Sequence, residues 1–185
     1  MREVSPAPLT AAVSRAGLKC RHRASAHDHS SQRKATNDFD FLTGTWDIAN
    51  RWRTSFLDPD STWEKFPAVS HASRHFDGNA NFDEITFPTK GFSGLTLRLY
   101  NPDTGQWSLY WASKRTGMLF PPVTGAFKDG TGEFLGEDTH DDVPVLVRFR
   151  WTDITSGSAR WEQAFSADGS ETWLDNWYMD ATRRP

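Results

Sequence analysis

Two pairs of adjacent acids, Asp83-Glu84 and Glu137-Asp138, are the residues whose type and spacing come nearest to a catalytic pattern. Each pair lies in a stretch that alternates as a β-strand does, so one acid would face one side of the sheet and its neighbour the other. An acid turned inward among Trp and Phe is favoured in its neutral form by desolvation, which suits a general acid or base near neutral pH. Glu84 or Glu137 would carry that role in an enzyme that uses a closed cavity to fold or isomerise a hydrophobic substrate. Nucleophilic patterns are missing: there is no Gly-x-Ser-x-Gly elbow, and the one cysteine, Cys20, lies in the N-terminal tail. His71 and His75 would stand about 13 Å apart along a strand, too far for one metal. His22, Asp28 and the neighbouring His27 and His29 are of metal-ligand type, but a solvated tail lacks the outer shell that fixes ligands. His140 with Asp138, Asp141 and Asp142 reads as a solvated acidic turn.

A binding role draws on a wider set. Arg98 or Arg148, if buried, could hold a carboxylate or phosphate through paired hydrogen bonds. Asn50, Tyr110, Gln163 and Asn176 could orient the ligand, and Trp46, Trp52, Trp111, Trp161 and Trp177 could stack on a flat ring. Core packing is the other role open to each Trp. Thr96, Arg98 and Tyr100 share one face of their strand and Leu95, Leu97 and Leu99 the other. Either face could point in. The ordinary rule puts the leucines inside and the polar groups in water, because Arg and Glu are almost never fully buried unless paired. The alternative is a mostly apolar pocket with a few convergent polar groups.

The elements that must position these residues start at 38–52, where Phe39, Phe41 and Leu42 form an apolar turn released by Gly44 into a strand. Asp38 or Asp40 could cap that turn. Trp46, Ile48, Asn50 and Trp52 then alternate onto one face. Further strands are expected over 62–75, with Pro67 at a bulge or an edge, and over 81–87, 92–100 and 106–113. Asp129-Gly130, suited to a type I′ turn, joins 123–128 to 132–139, and strands over 143–153, 159–166 and 171–182 complete the series. Roughly ten strands at short, regular spacing predict an all-β, antiparallel up-and-down barrel, which leaves no sheet edge exposed. A two-sheet sandwich is the alternative, but it needs long crossovers where this chain has tight hairpins.

Phe41-Leu42-x-Gly44-x-Trp46 resembles the entry to the first strand of lipocalin-like (calycin) barrels. With Gly78-Asn79-x-Asn81-x-Asp83-Glu84, Trp107 to Ser113, Gly132 to Thr139 and Arg160 to Ser166, the chain resembles a group of bacterial lipocalin-like proteins over about residues 38 to 183. The resemblance implies a barrel whose floor is closed by Trp46 beneath Arg183 or Arg184. It brings no settled activity. Haem, as in the related nitrobindin type of barrel, would require a proximal His on a late strand, and no His follows His140.

Composition bounds the rest. The 185 residues hold nine Trp and thirteen Phe, mostly after residue 38, which is ample material for one core. Residues 1–37 carry seven basic residues and two acids, which leaves fourteen against twenty-two, a net −8, in residues 38–185. That balance disfavours a nucleic-acid groove. No run approaches about 18 apolar residues, so no membrane span is expected. Residues 1–37 are expected to be a disordered tail and 38–185 the barrel domain. The single cysteine fits a reducing compartment, so a cytoplasmic location is expected. The sequence therefore predicts a barrel that binds a small, largely apolar molecule, aromatic ones included, with an anionic or polar end and without cofactor or metal. Trp46, Asn50, Arg98, Tyr110 and Trp111, with Arg148, Gln163 and Asn176, are its expected contacts. A cyclase or isomerase and a solid barrel acting only as an interaction module are the rival readings.

Overall fold

A computed structural model describes residues 36–185 of the chain. The expectations placed on the N-terminal tail, Cys20 and the histidines before residue 30 lie outside the described residues. A 3₁₀ turn at Asp40–Leu42 leads into β1 (Gly44–Arg53), followed by β2 (Trp63–His75), β3 (Ala80–Phe87), β4 (Phe92–Asn101) and β5 (Gln106–Ser113). A two-residue strand, β6 (Met118–Leu119), precedes β7 (Val123–Lys128), β8 (Thr131–His140), β9 (Val143–Thr152), β10 (Ser158–Ser166) and β11 (Leu174–Arg183). Ten of these pair in sequence, all antiparallel, and β11 pairs back onto β1 with Trp46 opposite Arg183 and Trp52 opposite Trp177. β6 only lengthens the sheet beside β5. This closed circuit is the expected antiparallel up-and-down barrel, and it removes the sandwich.

Local sequence explains most of the boundaries. Asp129 and Gly130 both have positive φ, 51° and 78°, as a type I′ turn requires. β2 pairs with β1 along its length but meets β3 only from Val69 onward, so Pro67 sits at an edge on that side, where no partner strand asks for its missing N–H. β11 begins later than 171 because Asp168 ties the preceding turn: its carboxylate accepts from Ser166 Oγ at 2.7 Å and from the Thr172 amide at 3.0 Å. Those bonds, the one from the Thr172 hydroxyl first among them, hold the Asp168 carboxyl down at about 2. Neither Asp38 nor Asp40 caps the 3₁₀ turn. Asp38 accepts from Trp107 Nε1 at 2.9 Å and Asp40 pairs with Arg74.

One end of the barrel is sealed by that turn. Trp46, 1% exposed, donates its indole N–H to the Leu42 carbonyl at 2.7 Å. The Arg183 guanidinium lies 4.3 Å from the Trp46 ring and donates to the carbonyls of Phe41, Thr43 and Ser156. Arg183, not Arg184, therefore covers Trp46; Arg184 pairs with Asp47 on the outer surface and holds that carboxyl below its ordinary range. Phe39 packs behind the turn, edge-on to Trp107 at 4.8 Å.

The faces of β4 are inverted relative to the ordinary rule. Gly94, Thr96 and Arg98 pair in rows with inward residues Ile85, Asp83 and Asn81 of β3, so Leu95, Leu97 and Leu99 point outward. Around β8 to β11 the outer face is ionic, with Arg150 between Glu133 and Glu162 and Arg160 bonded to Asp180 at 2.6 Å.

Gly44 has φ of +121°, and a Cβ there would meet Arg183 Nη1 at 2.8 Å. Gly44→Ala is therefore expected to lower stability by about 2 kcal/mol, read as a fall in the urea midpoint at unchanged slope. Arg183→Lys, which keeps the charge but cannot reach three carbonyls, should shift the midpoint the same way.

Candidate functional site

Inward positions alternate along the strands, save at a bulge between β10 and β11, and between two apolar clusters they leave a cavity of about 120 Å³. Its walls are aromatic: Trp46, Trp111, Trp151, Trp161 and Trp177 all line it, with Phe149 and aliphatic groups such as Ile85, Leu109 and Met179 between them. Trp111 owes its place to Gly94 on the facing strand, where an added Cβ would fall 1.9 Å from the indole ring. Ser70, Asp83, Thr96, Arg98 and Gln163 supply the polar part of the lining.

Arg98 and Asp83, each 5% exposed, are the charged centre of the site. Arg98 Nη1 donates to a carboxylate oxygen of Asp83 and, at 2.8 Å, to Asn81 Oδ1. Ser70 Oγ donates to the other Asp83 oxygen at 3.4 Å. The guanidinium also stands 5.2 Å from the Phe39 ring, which joins this pair to the sealed end. Opposite charges in contact make the burial tolerable, because an isolated ion in a dry interior would cost several kcal/mol.

A second polar group lies across the barrel. Trp177 Nε1 donates to Asn50 Oδ1 at 3.0 Å, and Gln163 Nε2 donates to Asn176 Oδ1 at 2.9 Å. Asn176 is the extra residue of a bulge, since Gln163 faces Trp177 while Ala164 faces Asp175. The bulge turns Asn176 inward to full burial behind Gln163, where it also donates to the Phe56 carbonyl.

Among the described residues, four inward side chains keep a buried N–H without a partner: Asn50 Nδ2, Asn81 Nδ2, Arg98 Nε and Trp151 Nε1. All four are donors. Arg98 and Trp151 are cavity-wall residues, and the guanidinium lies 5.9 Å from the Trp151 ring. The interior therefore holds more hydrogen-bond donors than acceptors at one region of its wall.

The residues singled out from sequence divide between the two faces. Trp46, Arg98, Trp111 and Gln163 line the cavity, with Trp161 and Trp177. Asn50 and Asn176 are buried just behind it. Tyr110 points outward, opposite Leu97. Arg148 is outside too, opposite Leu135, where it pairs with Asp175 at 3.5 Å and covers the Trp173 ring. Glu84 and Glu137 are outward residues, opposite His71 and Leu146, so neither reaches the interior. The reason is strict alternation: Asp83 faces in, and its neighbour must face out. Trp52 binds Glu64 near the other end of β1. Ser70 and Trp151 are members that sequence reasoning missed, while Thr96 was noted only as sharing the face of Arg98 and Asp83 only as the neighbour of Glu84. The four-residue connection between Phe87 and Phe92 carried the signal, since counting back from that pair sets Asp83 beside Thr96 and Asn81 beside Arg98.

No family model matches the chain, and no curated protein matches it. Among solved structures, an S-type phycobiliprotein lyase, CPES, from Guillardia theta is similar at 10% identity and a TM-score of 0.49, covering 80% of this chain and 90% of its own. The assignment of the fold stands on the strand register.

Arg98→Met is expected to cost about 3–5 kcal/mol, because it leaves the Asp83 carboxylate buried without its cation. The double variant Arg98→Met with Asp83→Leu should recover much of that loss in the same urea titration. Equal loss in the single and double variants would show that the two side chains do not act as a pair.

Proposed function

We propose that this barrel binds a small, flat, largely apolar molecule whose polar end is a hydrogen-bond acceptor. The observation that carries the reading is the tryptophan-walled cavity with unpartnered donors on Arg98 and Trp151 in its wall. A cavity of about 150 Å³ lined by aliphatic and aromatic groups takes up a benzene ring, so the present one, at about 120 Å³, suits a molecule built on a single ring. Trp faces offer such rings offset or edge-on stacking beyond simple burial. Because Asp83 already balances the Arg98 charge, a carbonyl suits the polar end better than the carboxylate an unpaired arginine would attract. The family resemblance of the Phe41-Leu42-x-Gly44-x-Trp46 opening to bacterial lipocalin-like proteins belongs to the same proposal.

The enzymatic reading assigned its proton transfers to Glu84 and Glu137, and both stand on the outer face. Asp83 is the carboxylate that lines the cavity, and it is committed to Arg98. Binding is therefore the reading the geometry supports, and the cavity itself argues against a solid barrel.

Calorimetric titration with acetophenone, toluene and benzoate tests it. The ketone is expected to bind most tightly, with a dissociation constant on the order of 100 μM for a ligand of that size. Trp151→Phe removes the indole N–H but keeps a ring, and should weaken the ketone by about tenfold, the worth of one hydrogen bond, while leaving toluene unchanged. Gly94→Val should weaken all three by driving the Trp111 ring into the cavity. If none of the three binds the native chain, the reading fails.

A further inference from the structure

We propose that the leucine-bearing outer face of the barrel is the contact surface for a second copy of this chain. Phe82, Leu97 and Tyr110 stand side by side in one row across β3, β4 and β5. Leu95 lies in the row on one side, 39% exposed, and continues through Ala112 to Leu119, 63% exposed. Leu99 lies in the row on the other side, which runs through Ser108 and Thr124 to Leu135, 47% exposed. No outward residue of β4 or β5 carries a charge. Scattered exposed leucines need no explanation, but a contiguous uncharged sheet face of this kind does.

Charge selects the occupant. Residues 38–185 carry a net −8, and the outer faces of β8 to β11 are laced with acids and arginines. Two copies of such a body repel wherever charged faces meet, so they can approach closely only through a face with no charge. A basic protein partner would be drawn to the acidic faces instead. A lipid surface would need cations around the patch, and its border carries Glu84 and Glu133 as well as Lys114 and Lys128.

Size and geometry agree. Between the charged borders on β3 and β8 lie four strand spacings of about 4.8 Å, and the three rows of side chains span about six residues rising about 3.3 Å each, a face of about 400 Å² before side chains roughen it. A standard association buries about 800 Å² on each partner, so this face, about half of that, suits a weak, reversible dimer. Two identical sheet faces can pack about a two-fold axis at the spacing of a β-sandwich, each burying the other's leucines.

Sedimentation velocity on the full chain, from about 10 to about 500 μM, tests the proposal in the weak affinity range that such an area commonly supports. The native chain should shift from monomer to dimer across this range. Leu97→Lys and Leu95→Lys each place an unpaired cation in the contact and should raise the dissociation constant by about a hundredfold or more. Leu146→Lys, outward on β9, should leave it unchanged. Unaltered near-ultraviolet circular dichroism in all three variants would show that the barrel is intact. A monomer throughout the range would overturn the proposal, and so would a dimer that survives both lysines or a monomeric chain that binds phosphatidylserine vesicles through this face.

Discussion

A guanidinium can be kept in the dry interior of a barrel where a carboxylate meets it, and Arg98 meets Asp83 across neighbouring strands. That pairing sets which way β4 faces. With Arg98 inside, Thr96 and Gly94 are inside as well, and the glycine makes room for the Trp111 ring. The same constraint turns three leucines toward water. A single buried ion pair thus links the polar end of the cavity, the shape of its wall and the most apolar region of the outer surface. Losing the pair would disturb all three, because alternation leaves no way to reverse one side chain of a strand without its neighbours.

The sealed end works differently, through many weak anchors on one side chain. Arg183 spends its donors on three backbone carbonyls and its face on the Trp46 ring, so it is satisfied by groups carrying no formal charge. Trp46 is in turn held by its own N–H to Leu42. The two arginines illustrate two ways to place a cation in a barrel: Arg98 by neutralisation, Arg183 by solvation with main-chain oxygens.

Much of this architecture was legible in the sequence because its signals are local. Turn residues such as Asp129-Gly130 and the period-two run from Trp46 to Trp52 set strand number and order, and a series of short antiparallel connections left closure as the economical solution. The site was most legible where burial follows side-chain type, as for Trp46 and Trp111, while Arg98 and Gln163 reach the cavity as polar residues whose inward sense the sequence left open. For β4 the alternation was visible but its sense was not, because Leu95-Leu97-Leu99 and Thr96-Arg98 are equally periodic and only the partner strand decides between them. Tyr110, Arg148, Glu84 and Glu137 were assigned inward on type alone, and each proved to be on the other phase of its strand. Asn176 reached the interior region through a bulge, an irregularity that no alternating pattern announces.

Closure by pairing β1 to β11 also has a consequence in time. The Arg183 contacts to Thr43 and Phe41 join residues 140 and 142 positions apart, among the most distant hydrogen bonds in the described chain. During synthesis β1 emerges early and keeps one free edge until residue 183 has left the ribosome. A sheet that lacks β11 leaves the tryptophan face of β1 without its closing partner, and closure requires a long loop search. That interval is when the nascent chain is most exposed to edge-to-edge pairing with its neighbours on a polysome.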